Sequence, residues 1–167
     1  MKVTIILNIM LASLLSIVSC STDDEKLLDT GTDTETENPT PGTGVAETVL
    51  MTIGENEVRI KMEDNEAARD FISRLPMEIT LEDYNNVTEK IYHIEPELKL
   101  GDTPRGCSPI PGDVTIYIPW GNIAIFCKEW RYSEDLTKIG HIENDGIALL
   151  QRAGDIKVSL KLDKQDK

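Results

Sequence analysis

The sequence has little of what metal centres and nucleic-acid interfaces require. It contains two His and three Cys among 167 residues, and these are too scattered for the closely spaced ligand pairs of a zinc site. Lys and Arg number 17 against 30 Asp and Glu, which gives a formal net charge of −13. Proteins that bind nucleic acid neutralise its phosphates with Lys and Arg. The composition therefore predicts no metal, no cofactor and no nucleic-acid partner.

The usual motifs of catalytic sites are also missing. The chain has no G-x-S-x-G nucleophile elbow, no Gly-rich phosphate loop and no Cys/His nucleophile arrangement. His93 and His141 are far apart in sequence, and a partly buried structural role is favoured for both over a metal pair or a general base. Glu82, Asp83 and Asp113 are candidates for paired catalytic carboxylates, but an acidic surface produces such coincidences freely. No reaction follows from these residues.

The longest hydrophobic run lies at the N-terminus. Residues 3–18 are uncharged and mostly Ile, Leu, Val and Met, a run shorter than the ~20 apolar residues of a spanning helix and typical of a secretory signal. It ends in Ile17-Val18-Ser19-Cys20, which resembles a bacterial lipobox. The resemblance implies a lipoprotein signal peptide over 1–19 and acyl chains, palmitate among them, on Cys20. Such chains anchor a protein to a membrane. The alternative is an ordinary secretory signal with a chance Cys.

Residues 20–46 have the composition of a disordered tether. They are rich in Thr, Asp and Glu and include Asn38-Pro39-Thr40-Pro41-Gly42-Thr43-Gly44, so few of them can bury apolar surface. The acidic run that follows Cys20 resembles the surface-export signal of lipoproteins in the Bacteroides group, and a plain solvated tether is the equal alternative. The predicted location is the bacterial cell envelope, on its periplasmic or cell-surface side. Residues 47–167 remain for one domain.

The pattern of residues 47–167 predicts a series of short strands. Alternating or β-rich runs bounded by turn residues indicate eight of them, at 48–53, 57–62, 77–83, 89–94, 113–118, 122–128, 136–143 and 156–162. A helix capped by Asp64 should continue to about Arg74, and a second should begin at Asn144 or Asp145 and end near Gln151. Eight short strands suggest a closed barrel or a sandwich.

The order of these elements resembles the cyclophilin barrel, an eight-stranded closed sheet with a helix at each end. Four stretches are similar to the minimal bacterial cyclophilin-like family, namely Leu75-Pro-Met-Glu-Ile-Thr-Leu-Glu-Asp-Tyr84, Glu89-Lys-Ile91, Pro111-Gly-Asp113 and Pro119-Trp-Gly-Asn-Ile-Ala-Ile-Phe126. The matching motifs cover most of residues 48–162. The resemblance implies a mainly β domain, a closed eight-stranded β-barrel with two short α-helices.

Cyclophilins are peptidyl-prolyl cis-trans isomerases, and the resemblance implies where that chemistry should lie. The arginine of the family falls near His93, and its glutamine falls near Ile123. An imidazole is mostly neutral at pH 7 and offers one donor, whereas a guanidinium offers a fork of donors. Lowering the ~18–20 kcal/mol barrier to X–Pro rotation needs well-aimed donors. A non-enzymatic peptide- or ligand-binding module is therefore favoured, and the alternative is an isomerase in which His93 replaces the arginine.

Four residues form the candidate ligand-binding set, Tyr92, His93, Trp120 and Asn122. They lie on neighbouring strand and turn positions, and the Pro/Gly-rich loop 101–112 can border the same side of the barrel. Aromatic side chains beside such a loop can bind a peptide, a protein loop or a small ligand. The competing interpretation is that Trp120 only covers the barrel end.

Two cysteines remain once Cys20 is lipidated. In an oxidising compartment Cys107 and Cys127 can form a disulfide that joins the long loop to a strand. They can equally stay independent thiols, with Cys127 inside the barrel and Cys107 in the loop. The second arrangement is favoured because neither position indicates a partner.

Overall fold

The computed structural model describes residues 47–164. The predicted signal peptide, the tether and the lipidation of Cys20 lie outside the described residues and stay predictions. Within residues 47–164, no helix is long and apolar enough to cross a membrane.

Eight strands close into one barrel. They are β1 (Thr48–Ile53), β2 (Asn56–Met62), β3 (Met77–Tyr84), β4 (Glu89–Tyr92), β5 (Asp113–Tyr117), β6 (Asn122–Phe126), β7 (Leu136–Ile142) and β8 (Ile156–Leu162). Around the barrel they follow the order β1-β2-β7-β5-β6-β4-β3-β8, and every pairing is antiparallel. Closure leaves none of the eight with an unpaired edge. The expected mainly β fold, a closed eight-stranded barrel, is confirmed.

Both expected helices are present, with differences in detail. Helix α1 (Glu66–Ser73) follows β2, and 3-10 helices lie at Ile118–Trp120 and Asn144–Leu149, so the second expected helix is 3-10 and not α. The expected cap at Asp64 is wrong. Asn65 caps α1 because its Oδ1 accepts a hydrogen bond from the Ala68 amide at 2.9 Å, while the Asp64 carboxylate pairs with Arg69 at 2.6 Å.

The main core fills the barrel interior with alternate residues of the strands. It includes Val49, Met51, Val58, Ile60, Ile79, Leu81, Val114, Ile116, Ile123, Ile125, Ile139 and Val158. Helix α1 contributes Ala67, Ala68 and Phe71 to this core. In β1, β2, β3 and β8 these positions are the ones that the alternation of the sequence favours for the inner face.

A smaller buried cluster lies on the outer face of the barrel. It consists of Ile91, Ala124, Phe126 and Leu136, with Cys107 and Tyr117 packed against it. These residues alternate with interior ones, so they point outward from β4, β6 and β7. The segments that lead into β5 and β7 pair through Cys107 and Ser133. This half of the barrel is therefore buried on both faces.

Candidate functional site

An exposed group of aromatic rings lies where β5 turns into β6. Trp120 ends the 3-10 turn, after which Gly121 takes the left-handed conformation with φ of 61°. The Trp120 ring contacts Tyr117 at a centroid distance of 5.3 Å and an angle of 84°, and Tyr84 at 5.9 Å and 88°. His93 stacks on it at 6.4 Å and 29°. Tyr84, His93, Tyr117 and Trp120 are hereafter the aromatic cluster.

The geometry of the aromatic cluster fixes Trp120 and still leaves it accessible. Edge-to-face contacts are a preferred arrangement of aromatic pairs, and Trp120 makes two of them. Its side chain is nevertheless 50% exposed. A large ring held in place and half open to solvent can bind a ligand without first losing much conformational freedom.

The strand order explains how distant residues meet here. Strands β5, β6, β4 and β3 are consecutive neighbours in the barrel. Tyr117 and Tyr84 follow inward-facing Ile116 and Asp83, so alternation turns both rings outward. Neither tyrosine is among the four candidate binding residues that the sequence suggested. Strand alternation is the signal that could have identified them: each tyrosine lies an odd number of residues after a buried side chain, Ile116 or Leu81, and so faces outward.

The four candidate binding residues do not all reach this surface. His93 and Trp120 meet in the aromatic cluster. Tyr92 is half-buried and packs against the main core. His93 is exposed, so the expectation that it is partly buried is wrong: β4 ends at Tyr92, two residues before the expected end, and His93 follows the strand.

Asn122 lies behind the turn that carries Trp120. It is only 1% exposed, and it is the cross-strand partner of Tyr117. Its Nδ2 donates to the Ile123 carbonyl at 3.2 Å, while its Oδ1 has no hydrogen-bond partner among the described residues. Buried polar atoms are nearly always paired. The unpaired oxygen is therefore a point at which a water or a ligand donor is expected.

Carboxylates border the aromatic cluster. Glu89 is the cross-strand partner of Tyr84, and burial raises the pKa of its carboxyl above the ordinary value. The side chain of Glu97 packs on Gly121, where a Cβ would lie 2.6 Å from the Glu97 Cδ. In contrast, the guanidinium of Arg74 is occupied: it donates to the Pro96 carbonyl, to the Glu97 carbonyl at 3.0 Å and to Asp70 at 2.7 Å.

The three candidate catalytic carboxylates do not pair with one another. Asp83 contacts Lys90 at 3.1 Å. Asp113 is buried, and its Oδ1 accepts from the Lys138 ammonium at 2.7 Å and lies 2.8 Å from the His141 Nδ1. Glu82 is exposed. Asp83 and Asp113 are held by cations or amides and are structural groups, so the catalytic pairing that the sequence analysis disfavoured is not formed by these three residues.

His141 is half-buried beside Asp113, which is the structural role expected for it. Among residues 47–164, no group of three His, Cys, Asp or Glu side chains could hold a metal ion. Two shallow grooves of about 440 and 430 Å³ lie on other parts of the barrel, one along β1, β3 and β8 and one beside the β1–β2 hairpin. Neither includes a residue of the aromatic cluster.

The two cysteines of the barrel are free thiols in the structure, so the possible Cys107–Cys127 disulfide is not formed there. Cys127 is buried in the main core and Cys107 packs against the outer cluster, which separates them by the wall of the barrel. Burial raises the pKa of Cys127 to about 11 and also raises the pKa of Cys107. Neither thiol has the lowered pKa of a nucleophile.

The Pro/Gly-rich loop borders the same half of the barrel as the aromatic cluster. The Gly106 amide donates to the Leu136 carbonyl at 2.7 Å, and the Trp130 amide donates to the Pro109 carbonyl at 2.9 Å. The exposed large hydrophobic side chains of residues 47–164 are Tyr84, Ile110, Trp120, Trp130 and Tyr132. All of them lie on or next to β3, β5, β6 or β7. Tyr84 and Trp120 contact each other in the aromatic cluster, whereas Ile110 and Trp130 lie near the other end of β5 and β6.

Comparisons with known proteins agree with this architecture. A model of the family described as cyclophilin-like matches residues 51–161. Among solved structures, the solution structure of a hypothetical protein from Archaeoglobus fulgidus is similar, with a TM-score of 0.55 and 19% sequence identity. The match covers 71% of this chain and 95% of that one, and at this identity it shows the fold alone. No curated protein sequence matches the chain.

Proposed function

Because the chain belongs to the cyclophilin-like family, we propose that its barrel is a non-enzymatic binding module for a peptide or a protein loop. The aromatic cluster is the binding surface. The observation that carries the proposal is Trp120, which two tyrosines hold edge-on while half of its side chain stays exposed. Rigid, exposed aromatic rings are typical anchors of binding interfaces.

The distribution of apolar surface supports the proposal. Exposed large hydrophobic side chains that gather on one side of a soluble domain commonly mark an interaction surface. Two of the exposed large side chains, Tyr84 and Trp120, contact each other with ring centroids 5.9 Å apart, whereas among the described residues of β1, β2, β8 and α1 no large hydrophobic side chain is exposed.

The second candidate function is prolyl isomerisation by an altered site in which His93 replaces the arginine. One observation favours it: His93 is exposed and stacks on Trp120, so a hydrogen-bond donor borders the aromatic surface. However, the nearby Arg74 guanidinium already binds two loop carbonyls and Asp70. A single imidazole offers less stabilisation to a twisted amide than a guanidinium fork, so binding is the preferred function.

Isomerisation of a short X–Pro peptide distinguishes the two candidates. The full chain, purified in detergent, is compared with His93→Ala and with a His141→Ala control, since His141 lies outside the aromatic cluster. A binding module leaves the isomerisation rate unchanged in all three proteins, while the peptide shifts the Trp120 indole resonance. An acceleration that disappears only in His93→Ala would show that the protein is an isomerase.

We also propose that the protein is a lipid-anchored lipoprotein of the bacterial cell envelope. The support is the lipobox-like Ile17-Val18-Ser19-Cys20 and the polar segment that follows it. Several acyl chains on one Cys hold a domain at a membrane because each buried CH₂ contributes ~0.8 kcal/mol. Cys20→Ser should lose metabolic labelling with palmitate and should leave the membrane fraction, and Cys107→Ser is the control that should keep both. Labelling that survives Cys20→Ser would refute the anchor.

A further inference from the structure

The carboxylates around the aromatic cluster have no cationic partners in the part of the chain that the structure describes. None of Glu82, Glu89 and Glu97 forms an ion pair there. Glu89 faces Tyr84 across β3 and β4, and Glu82 precedes Tyr84 by two residues on the same outer face. Glu97 lies on Gly121, next to Trp120. The exposed rings are therefore bordered by uncompensated negative charge.

Two basic side chains near these carboxylates, Lys90 and Arg74, already have other hydrogen-bond partners. Lys90 neighbours Glu89 in sequence, but it is buried and bonded to Asp83 and to the Arg152 and Gly154 carbonyls. Arg74 binds Asp70 and the carbonyls of the loop that carries Glu97. Lys128 is exposed at the β3–β4 turn, where it donates to the Asn86 carbonyl, and it forms no ion pair with Glu89 or Glu97. Within the described residues, the carboxylates around the aromatic cluster are therefore not compensated by an ion pair.

The chemistry of this surface matches a cation with several donors. Aromatic faces attract ammonium and guanidinium groups, Trp most strongly. Arg and Lys side chains carry donors and no acceptors, and ionised carboxylates such as those that border the cluster are acceptors. A guanidinium can stack on an indole and bind a carboxylate at the same time. A negatively charged or purely apolar ligand would leave the carboxylates without compensation.

We propose that the peptide bound by the aromatic cluster carries a positively charged side chain, arginine or lysine, which docks on the Trp120 ring beside Glu97, with Glu89 bordering the Tyr84 side of the cluster. The proposal rests on the binding function proposed above and names the ligand class for that surface. It adds the requirement that the peptide carries a positive charge, which the fold alone does not impose. An otherwise identical neutral peptide should bind more weakly.

The test compares matched peptides on the full chain in detergent. Two short X–Pro peptides differ only in one residue, Arg or Gln, and the shift of the Trp120 indole resonance measures Kd. We expect the Arg peptide to bind about tenfold more tightly at low salt, with the difference shrinking at high salt because exposed charges are screened. N-acetylarginine amide, tested alone, distinguishes a free organic cation from a peptide as the ligand.

Variants assign the effect to the carboxylates. Glu97→Gln and Glu89→Gln should each reduce the preference for the Arg peptide, while Glu78→Gln should leave it unchanged because Glu78 is exposed on β3 six residues before Tyr84. Equal binding of both peptides would overturn the cation proposal and leave the binding function standing. Absence of any shift with every peptide would overturn the binding function as well.

Discussion

The Lys90 ammonium lies 3.1 Å from the Asp83 carboxylate, inside the end of the barrel where β3 turns into β4. The same ammonium donates to the Arg152 carbonyl at 2.6 Å and to the Gly154 carbonyl at 2.9 Å. Lys90 is fully buried, and all three of its donors are used. Because Asp83 also accepts from the Gly154 amide at 2.9 Å, the pair joins the β3–β4 turn to the turn before β8.

Lys90→Met should destabilise the protein strongly. The substitution keeps the length of the side chain but leaves a carboxylate and two carbonyls without their donor, which costs about 2–4 kcal/mol in the free energy of unfolding. Lys128→Met is the matched control: Lys128 is exposed and donates only to the Asn86 carbonyl, so its loss should cost about 0.5 kcal/mol or less. Urea unfolding of both variants measures the difference, and similar costs would contradict the structural role of Lys90.

Asp83→Asn should change how stability depends on pH. The hydrogen bond from the Gly154 amide, followed by that from Lys90, lowers the pKa of Asp83 below its ordinary 3.8. A lowered pKa in the folded state contributes stability that is present above 3.8 and is lost as pH falls through the lowered value. The variant should therefore be less stable than the parent at neutral pH, and the two should converge in acid. Urea unfolding of parent and variant at several pH values checks this, and a difference in stability that stays constant down to acid pH would contradict it.

Glu89→Gln should change stability in the opposite direction and make the protein more stable at neutral pH. Burial raises the pKa of Glu89 above its ordinary 4.5, so ionisation costs stability in the folded state. This cost is absent below 4.5, grows as pH rises through the raised pKa and persists at neutral pH. We expect the variant to be more stable than the parent at pH 7 and equally stable below 4.5. Urea unfolding at the two pH values checks this, and a variant that is less stable at pH 7 would contradict it.

Much of the fold could be predicted because the strands that face the solvent on one side have a clear alternation. Strand β2 buries Val58, Ile60 and Met62 between polar residues, and β8 repeats the pattern. The strands in the half of the barrel that is buried on both faces were harder to predict. All five residues of β6 are buried, so the sequence of this strand carries no period that separates its two faces.

The orientation of the candidate site residues could not be predicted for the same reason. In β4 both Lys90 and Ile91 are buried, although one points inward and the other outward. The side on which Tyr92 falls could not be decided from such a strand, and it faces the core. Tyr84 and Tyr117 meet Trp120 only because β3 and β5 flank the β4–β6 pair. That order depends on long-range pairing, which local sequence patterns do not encode.

Gly112→Ala should disturb the Asp113–His141 pair. Gly112 has φ of 98°, and a Cβ there would lie 3.1 Å from the His141 Cε1. Backbone strain and the displaced imidazole together should cost about 2–3 kcal/mol. Gly54→Ala is the control, with φ of 62° and nothing within 4 Å of its Cβ, and it should cost about 1 kcal/mol. Equal losses in urea unfolding would show that the imidazole moves freely.

Trp120→Ala should remove binding more than stability. Since half of the side chain is already exposed, truncation loses limited burial, whereas a peptide anchored on the indole should bind at least about tenfold more weakly. Trp130→Ala is the matched control, because Trp130 is 41% exposed on the segment between β6 and β7 and is not part of the aromatic cluster. Its loss should change the peptide Kd by less than about twofold.

The two tryptophans also make the measurement specific. In Trp130→Ala the remaining indole is Trp120, so its fluorescence should respond to titration with the Arg peptide. In Trp120→Ala no indole of the cluster remains, so binding to this variant is measured by calorimetric titration and should be weak. Equal weakening in both variants would extend the binding surface to the loops around Pro109 and Trp130, which are joined by a hydrogen bond. Full binding in Trp120→Ala would rule out Trp120 as the anchor of the peptide.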